Sequence, residues 1–330
     1  MLPTITFLPN INLSPKSQLI FAMLALTGTT GKIGGAVLNS ILRENLVPAD
    51  QLVLCTSSDP NNSRWDDLKA KGVQVRFSKY EDPESMVKAF KGCTKLFLVS
   101  SPSIALDLNN PPPGEGREKS HIDAIKAAQK AGVKHIYYTS LAFGDKSGAG
   151  VMRAHLRTEA FLSEMKDVKF TAIREGLYNE SWPLYLGYYD LKGDDRNEIV
   201  VAGDGPIEWA SIPDLGYATA LIVSDTSSKY EGKTIYLTGN EALALVDIAK
   251  LVSTIKGKEI TTKLVSRKEY EDYYTQQGKE RASVEWWSTT YAALEAGECV
   301  VHDSTLHDLL KSRGKDLEPA QKTIRAMLSS

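Results

Sequence analysis

The 330-residue chain is poor in cysteine, and the three it has, Cys55, Cys93 and Cys299, lie far apart. None falls in a C-x-x-C pair, so neither a disulfide framework nor a zinc site is expected. The thiols read as reduced, in a cytoplasmic protein. Net charge is nearly absent, with 39 Lys and Arg against 41 Asp and Glu. That balance gives no electrostatic case for a nucleic-acid partner. No apolar run is long enough to span a bilayer. Pro3, Pro9 and Pro15 break up the apolar start, and no basic segment precedes it, so it makes a poor signal peptide. Met1 to Lys16 reads as an extension, and Leu19 to Phe21 as a lengthening of the strand that follows. Internal repeats, Ser-His-Asp sets and metal-ligand spacings are missing too.

What the chain does hold is one strong pattern, MLALTGTTGKIGG, from Met23 to Gly35. The apolar run Met23 to Leu26 reads as a buried strand. Gly28, Gly31 and Gly34 follow at G-x-x-G-x-x-G spacing. Ala36, Val37, Leu38, Ile41 and Leu42 are then apolar at helical spacing. Strand, glycine turn and helix in that order predict a dinucleotide loop, with a pyrophosphate at the helix N-terminus. Gln51 to Cys55 reads as the second strand, whose end meets the adenosine ribose in such folds. Here it runs into Thr56, Ser57 and Ser58, with Arg64 close behind and no carboxylate at the strand end. Hydroxyls and a guanidinium suit a ribose phosphate, which favours NADP(H) over NAD(H).

Further strands are expected at Val73 to Phe77, Lys95 to Val99 and His135 to Ser140. Helices are expected at Trp65 to Lys71, Pro83 to Phe90 and Glu118 to Ala131, the last stopped by Gly132. The alternation predicts an α/β protein with a doubly wound parallel sheet, a Rossmann architecture. Its ligand would lie at the strands' carboxyl ends, where Gly28, Thr56, Ser100 and Ser140 fall.

Three blocks, Arg117 to Phe143, His155 to Leu162 and Phe170 to Trp182, resemble the NmrA-like branch of the atypical short-chain dehydrogenases. The likeness extends to its bacterial quinone-reductase type and its fungal reductases of secondary metabolism. The likeness starts at Met23, which leaves residues 1–22 as the N-terminal extension, and it implies an NADP(H)-binding Rossmann domain (23–181) and a smaller C-terminal α+β substrate lobe (182–330), some of whose segments return to the sheet. It implies that Gly28, Thr30, Gly31, Lys32, Ile33 and Gly34 hold the pyrophosphate. Ser100, Ser101, Pro102, Thr139 and Ser140 would line the nicotinamide side, and Leu177, Tyr178 and Asn179 would close over it and face substrate.

Two departures stand out. Ser78-Lys79-Tyr80 replaces an acidic residue common in relatives after the third strand, and Lys79 either approaches the ribose phosphate or is solvated. The Tyr-x-x-x-Lys pair of conventional short-chain dehydrogenases is replaced by His155-Leu-Arg-Thr-Glu159. His155 is then the candidate general acid, oriented by Glu159 one helical turn on; the alternative is a histidine that packs or caps locally.

Beyond residue 181 the chain turns aromatic. Trp182, Tyr185, Tyr189 and Trp286 are the expected substrate wall, with core packing as the competing role. Asp214 is expected to cap a helix from Leu215 to Val223, and Glu241 to Ile255 to form another. A strand is expected at Glu259 to Val265. Helices are expected at Arg267 to Gln276, Ser283 to Ala296, Ser304 to Arg313 and Pro319 to Leu328. The expected activity is hydride transfer to a small aromatic or conjugated acceptor, a quinone, enone or iminium, by a monomer or homodimer that uses neither membrane nor nucleic acid. A cofactor-dependent isomerase or cyclase and an NADP-binding redox sensor are the alternatives.

Overall fold

The computed structural model describes residues 23–329, so the expectations for the N-terminal extension lie outside the described residues. In chain order the first part holds β1 (Leu24–Leu26), α1 (Lys32–Arg43), β2 (Leu52–Thr56), α2 (Asp66–Ala70), β3 (Gln74–Phe77) and α3 (Pro83–Phe90). It continues through β4 (Lys95–Leu98), α4 (Glu118–Ala131), β5 (His135–Leu141), α5 (Gly150–Glu164) and β6 (Lys169–Glu175). The second part begins with α6 (Trp182–Tyr185), β7 (Glu198–Val201), β8 (Ile207–Glu208), α7 (Ile212–Ser224) and β9 (Lys233–Leu237). It ends with β10 (Ala242–Leu243), α8 (Leu245–Lys256), β11 (Thr261–Leu264), α9 (Arg267–Gln276), α10 (Arg281–Glu295), α11 (Thr305–Lys311) and α12 (Ala320–Ser329).

The main sheet has seven strands in the order β3-β2-β1-β4-β5-β6-β9, every neighbouring pair parallel. It is a Rossmann-like α/β fold. Strand order reverses at β1, which makes the crevice between β1 and β4 the place for a ligand. Apolar residues of α1, α7 and α11 cover one face, and those of α3 and α4 the other. A third core, rich in tryptophan and tyrosine, fills the remainder of the second part.

Three elements differ from the sequence expectation. The helix assigned to an Asp214 cap starts earlier, at Ile212, and Ser211 is its cap, accepting from the Asp214 amide. The expected Glu241 to Ile255 helix begins only at Leu245, because Ala242–Leu243 pairs with β8. Its first amides are satisfied by Asp204, whose two carboxylate oxygens accept from Leu245 N at 2.7 Å and Val246 N at 3.0 Å. β9 joins the sheet edge beside β6, where exposed Thr234 and half-buried Ile235 and Tyr236 gave no apolar run to read.

Candidate active site

The glycine loop is built by steric necessity. Gly28 has φ +64°, and a Cβ there would stand 2.8 Å from that of Val99. A Cβ on Gly34 would lie 2.3 Å from the Gly28 carbonyl oxygen, so only glycine lets α1 start this close to β1. The Gly31 amide donates to the Gly28 carbonyl, closing the turn. No side chain caps α1, and its first turn carries no acidic residue. Its free amides and positive dipole end therefore face the crevice, as an anion site requires. The buried hydroxyl of Thr29 finds no partner among the described residues.

Beside the loop lies a cleft of about 320 Å³, lined by Thr27 to Thr30, Cys55 to Ser57, Ser78 to Glu81, Met86, Pro102 and Ser103. It runs along the carboxyl ends of β1, β2 and β3, where an adenosine half fits. Ser57 and Lys79 both line it. Lys79 is half-exposed and only loosely paired, its Nζ 3.8 Å from Glu81. Thr56 accepts from the Ser58 amide and shapes the β2 turn. Arg64 turns onto the indole of Trp65, its guanidinium 4.6 Å from the ring centre. Tyr80 crosses the cleft floor, its hydroxyl donating to the Val99 carbonyl at 2.6 Å.

On the other side of the crevice the ends of β4 and β5 are held by a buried network. The Ser100 amide donates to Thr139 Oγ1 at 2.9 Å, and the Ser101 amide to His121 Nε2 at 2.8 Å. Thr158 Oγ1 donates to the Ala154 carbonyl, so it accepts from His121 Nδ1–H at 2.9 Å. Tyr138 bridges the two imidazoles, its Oη 3.0 Å from His155 Nδ1 and 3.2 Å from His121 Nδ1.

His155 thus takes a different place from the one expected. It is 2% exposed, bonded to Tyr138 on one side and to the Thr139 carbonyl on the other. Burial, and then the charge of Arg117, hold its pKa well below the usual imidazole range. Neutral and internally satisfied, it supports the end of β5 and does not open on the cleft. Glu159 does not orient it. That carboxylate accepts from Ser140 Oγ at 2.5 Å and from Arg174 Nε and Nη2 at 3.1 and 2.7 Å. Arg174, arriving on β6, is a stronger partner than a neutral imidazole. Ser140 is buried in the same ion-pair cluster.

The end of β6 carries a residue that the sequence reading passed over. Glu175 is buried, and Tyr178 Oη donates to its Oε2 at 2.5 Å. Burial pushes this carboxyl up to about 8, against the opposing effect of the Tyr178 hydrogen bond. The signal available was an acidic residue ending the strand FTAIRE just before Gly176. Leu177 and Asn179 clamp to Ala210 through two backbone bonds of 2.9 Å each. The Asn179 amide group donates to the Glu318 carbonyl and to Thr323 Oγ1, tying the start of α12 to this turn.

The expected substrate wall is a packed interior. Trp182, Tyr185, Tyr189 and Trp286 are 0, 6, 5 and 9% exposed. Trp182 packs on Tyr189 with ring centres 5.2 Å apart, and Tyr185 on Trp287 at 4.9 Å. Clustered aromatics bury more area against one another than against an open pocket, so the core role prevails.

A sequence profile described as the NmrA-like family matches residues 22–161. Quinone oxidoreductase 2 of Escherichia coli is 32% identical over 248 residues, 75% of this chain and 79% of that protein. The chain belongs to the NmrA-like family. An NmrA-like family domain-containing oxidoreductase of Aspergillus flavus is 29% identical over 92% of the chain and 94% of its own length. Two solved structures share this NmrA-like fold. The E. coli NADPH-dependent quinone oxidoreductase in complex with NADPH superposes with TM-score 0.75 at 27% identity, covering 92% of this chain and 99% of that one. The Citrobacter sp. triphenylmethane reductase complexed with NADP(H) does so with TM-score 0.73 at 27% identity and the same coverage.

Proposed function

We propose that the protein is an NADP(H)-dependent reductase that passes hydride to a small, flat, conjugated acceptor: a quinone, an enone or an iminium. The observation that carries this reading is the uncapped, acid-free start of α1, opening on a cleft whose β2 end bears hydroxyls and no carboxylate. When bound, the cofactor supplies the hydride. The chain's own residues bind and orient. Gly28, Thr30, Gly31, Lys32, Ile33 and Gly34 hold the pyrophosphate through backbone amides. Thr56, Ser57 and Lys79 meet the ribose phosphate, with Ser58 and Arg64 at its rim. Ser100, Ser101, Pro102 and Thr139 line the nicotinamide side, and Leu177 and Tyr178 face the acceptor.

Charge that delocalises into the acceptor needs no strong built-in acid, which suits a site lacking the Tyr-Lys pair. Relatives named as a quinone oxidoreductase and a triphenylmethane reductase support flat, conjugated acceptors. Among the described residues no helix is long and apolar enough to cross a membrane. The three cysteines are free and buried, which suits the reducing cytoplasm.

The test is oxidation of NADPH and of NADH by the purified protein, followed by near-UV absorbance, against a panel of quinones, enones and cyclic imines. Turnover that prefers NADPH is expected. Tight NADPH binding with no turnover across the panel would overturn the reading in favour of a cofactor sensor.

A further inference from the structure

The turn after β6 is tied to the cofactor crevice by its own contacts. The Glu180 carboxylate accepts from the Ile212 amide and feels the charge of Lys32, the first residue of α1. Tyr178 and Val99, the neighbour that Gly28 must clear, pack against the same apolar cluster. A dinucleotide lying across the strand-order reversal puts one half over β2 and β3 and the other over β4, β5 and β6. Tyr178 therefore stands on the reacting half, partly exposed, with Glu175 behind it at 2.5 Å.

Glu175 is an unusual residue to bury here. Its Oε1 has no partner among the described residues, and no cation there pairs with it. Arg174, one residue earlier and so on the opposite face of β6, gives its charge to Glu159 and Asp145. The groups that face Tyr178 are Glu175, Tyr185 and Glu180, all of which disfavour a phenolate. A carboxyl so placed costs stability, and a glutamine would fill the space more cheaply.

We propose that Tyr178 and Glu175 act as a two-residue acid for the reduced acceptor, Tyr178 the catalytic donor and Glu175 the proton-holding residue behind it. The inference rests on the reductase reading. Hydride addition to a quinone leaves the electron pair of the broken C=O π bond on oxygen. The Tyr178 O–H bond breaks and its proton goes to that oxygen. The Glu175 O–H proton moves to Tyr178 Oη, and the resulting carboxylate takes a proton from water. One NADPH is oxidised, one quinone is reduced and one solvent proton is consumed. With Glu175 protonated, the same contact runs from its O–H to Tyr178 Oη, which frees the phenolic proton to face the acceptor.

The experiment compares two acceptors. 1,4-Benzoquinone needs a proton, whereas a cationic triarylmethane dye takes hydride on carbon and needs none. In Glu175→Gln and Tyr178→Phe, the ratio of quinone to dye kcat is expected to fall about tenfold or more. In the wild type the quinone rate alone falls as pH rises through about 8, and Glu175→Gln loses this limb. Independently of turnover, infrared difference spectra of the cofactor-free protein should show one protonated carboxyl lost over that pH range and absent in Glu175→Gln.

A ratio unchanged in both variants, or no such carboxyl in the wild type, overturns the inference while the reductase reading stands. Reduction of the dye alone by the wild type does the same. Reduction of neither acceptor overturns both. If Tyr178→Phe fails to fold, the wild-type pH profile and spectra decide.

Discussion

At the residue scale, charge placement separates residues of the same type. Lys79 and Arg64 both follow strands that end at the cofactor crevice, yet Lys79 lines the cleft and Arg64 lies on Trp65. Lys79 is the better candidate for the proposed ribose-phosphate contact, because an exposed ammonium whose one ion pair, to Glu81, is loose can turn to a dianion at small cost. Lys79→Ala is expected to raise the Kd for NADPH about tenfold while changing that for NADH less than twofold, read by fluorescence titration. Arg64→Ala should discriminate between the two more weakly, and equal losses for both cofactors in Lys79→Ala would remove it from the phosphate site. Glu175 follows the same logic from the other side. It was written in the sequence as the last residue of β6, but nothing there said that its neighbours would leave it without a cation.

At the element scale, the β1–α1 unit is tightly constrained by sterics. Its glycines are explained by atoms already present: the Gly28 carbonyl stands where a Gly34 Cβ would go, and Val99 where a Gly28 Cβ would go. Gly34→Ala must push α1 off the sheet, which is expected to cost about 3 kcal/mol in thermal or urea unfolding. It should also abolish cofactor binding, since the amides of Lys32 and Ile33 move with the helix. A variant that unfolds as the wild type does and binds NADPH normally would show that the turn has slack. Most of this unit is legible in the sequence, because strand, turn and helix signals are local. The start of α8 is not, since its cap is Asp204, 41 residues before Leu245.

At the scale of the whole molecule, a buried polar lattice fastens the sheet to its helices. His121 on α4, Tyr138 on β5, and His155 and Thr158 on α5 form one chain of bonds, and Ser101 after β4 joins it. Burial, followed by the charge of Arg117, lowers His121 to about 3 and drives His155 down too. Both are neutral when folded and take up protons once unfolded. The unfolded state therefore binds more protons between about pH 3 and 6.5, and stability is lost as pH falls through that window. His121 contributes up to about 1.4 kcal/mol per pH unit in the middle of that window, and His155 acts in the same direction. The unfolding midpoint should drop steeply from pH 6.5 to pH 5, and His121→Gln should flatten the slope. A wild-type midpoint independent of pH over that range would mean that the imidazoles are not buried neutral.

The class of this protein is legible from local signals along the chain. Alternating strand and helix signals, three glycines at three-residue spacing and a β2 end without a carboxylate are local features, and local chemistry is enough to specify a parallel α/β sheet with a phosphate-binding turn. The surroundings of the polar and aromatic residues are set by packing between distant segments. His155 and Glu159 share a helix face, yet one is claimed by Tyr138 and the other by Arg174, partners set by how β5 and β6 pack against α5. Trp182, Tyr185, Tyr189 and Trp286 have the composition of a pocket wall but close on one another as a core. Glu175 acquires its character from being buried without a counter-charge. Hydrogen bonds, burial and ion pairing depend on residues distant in sequence, and no spacing along the chain encodes which of them will meet.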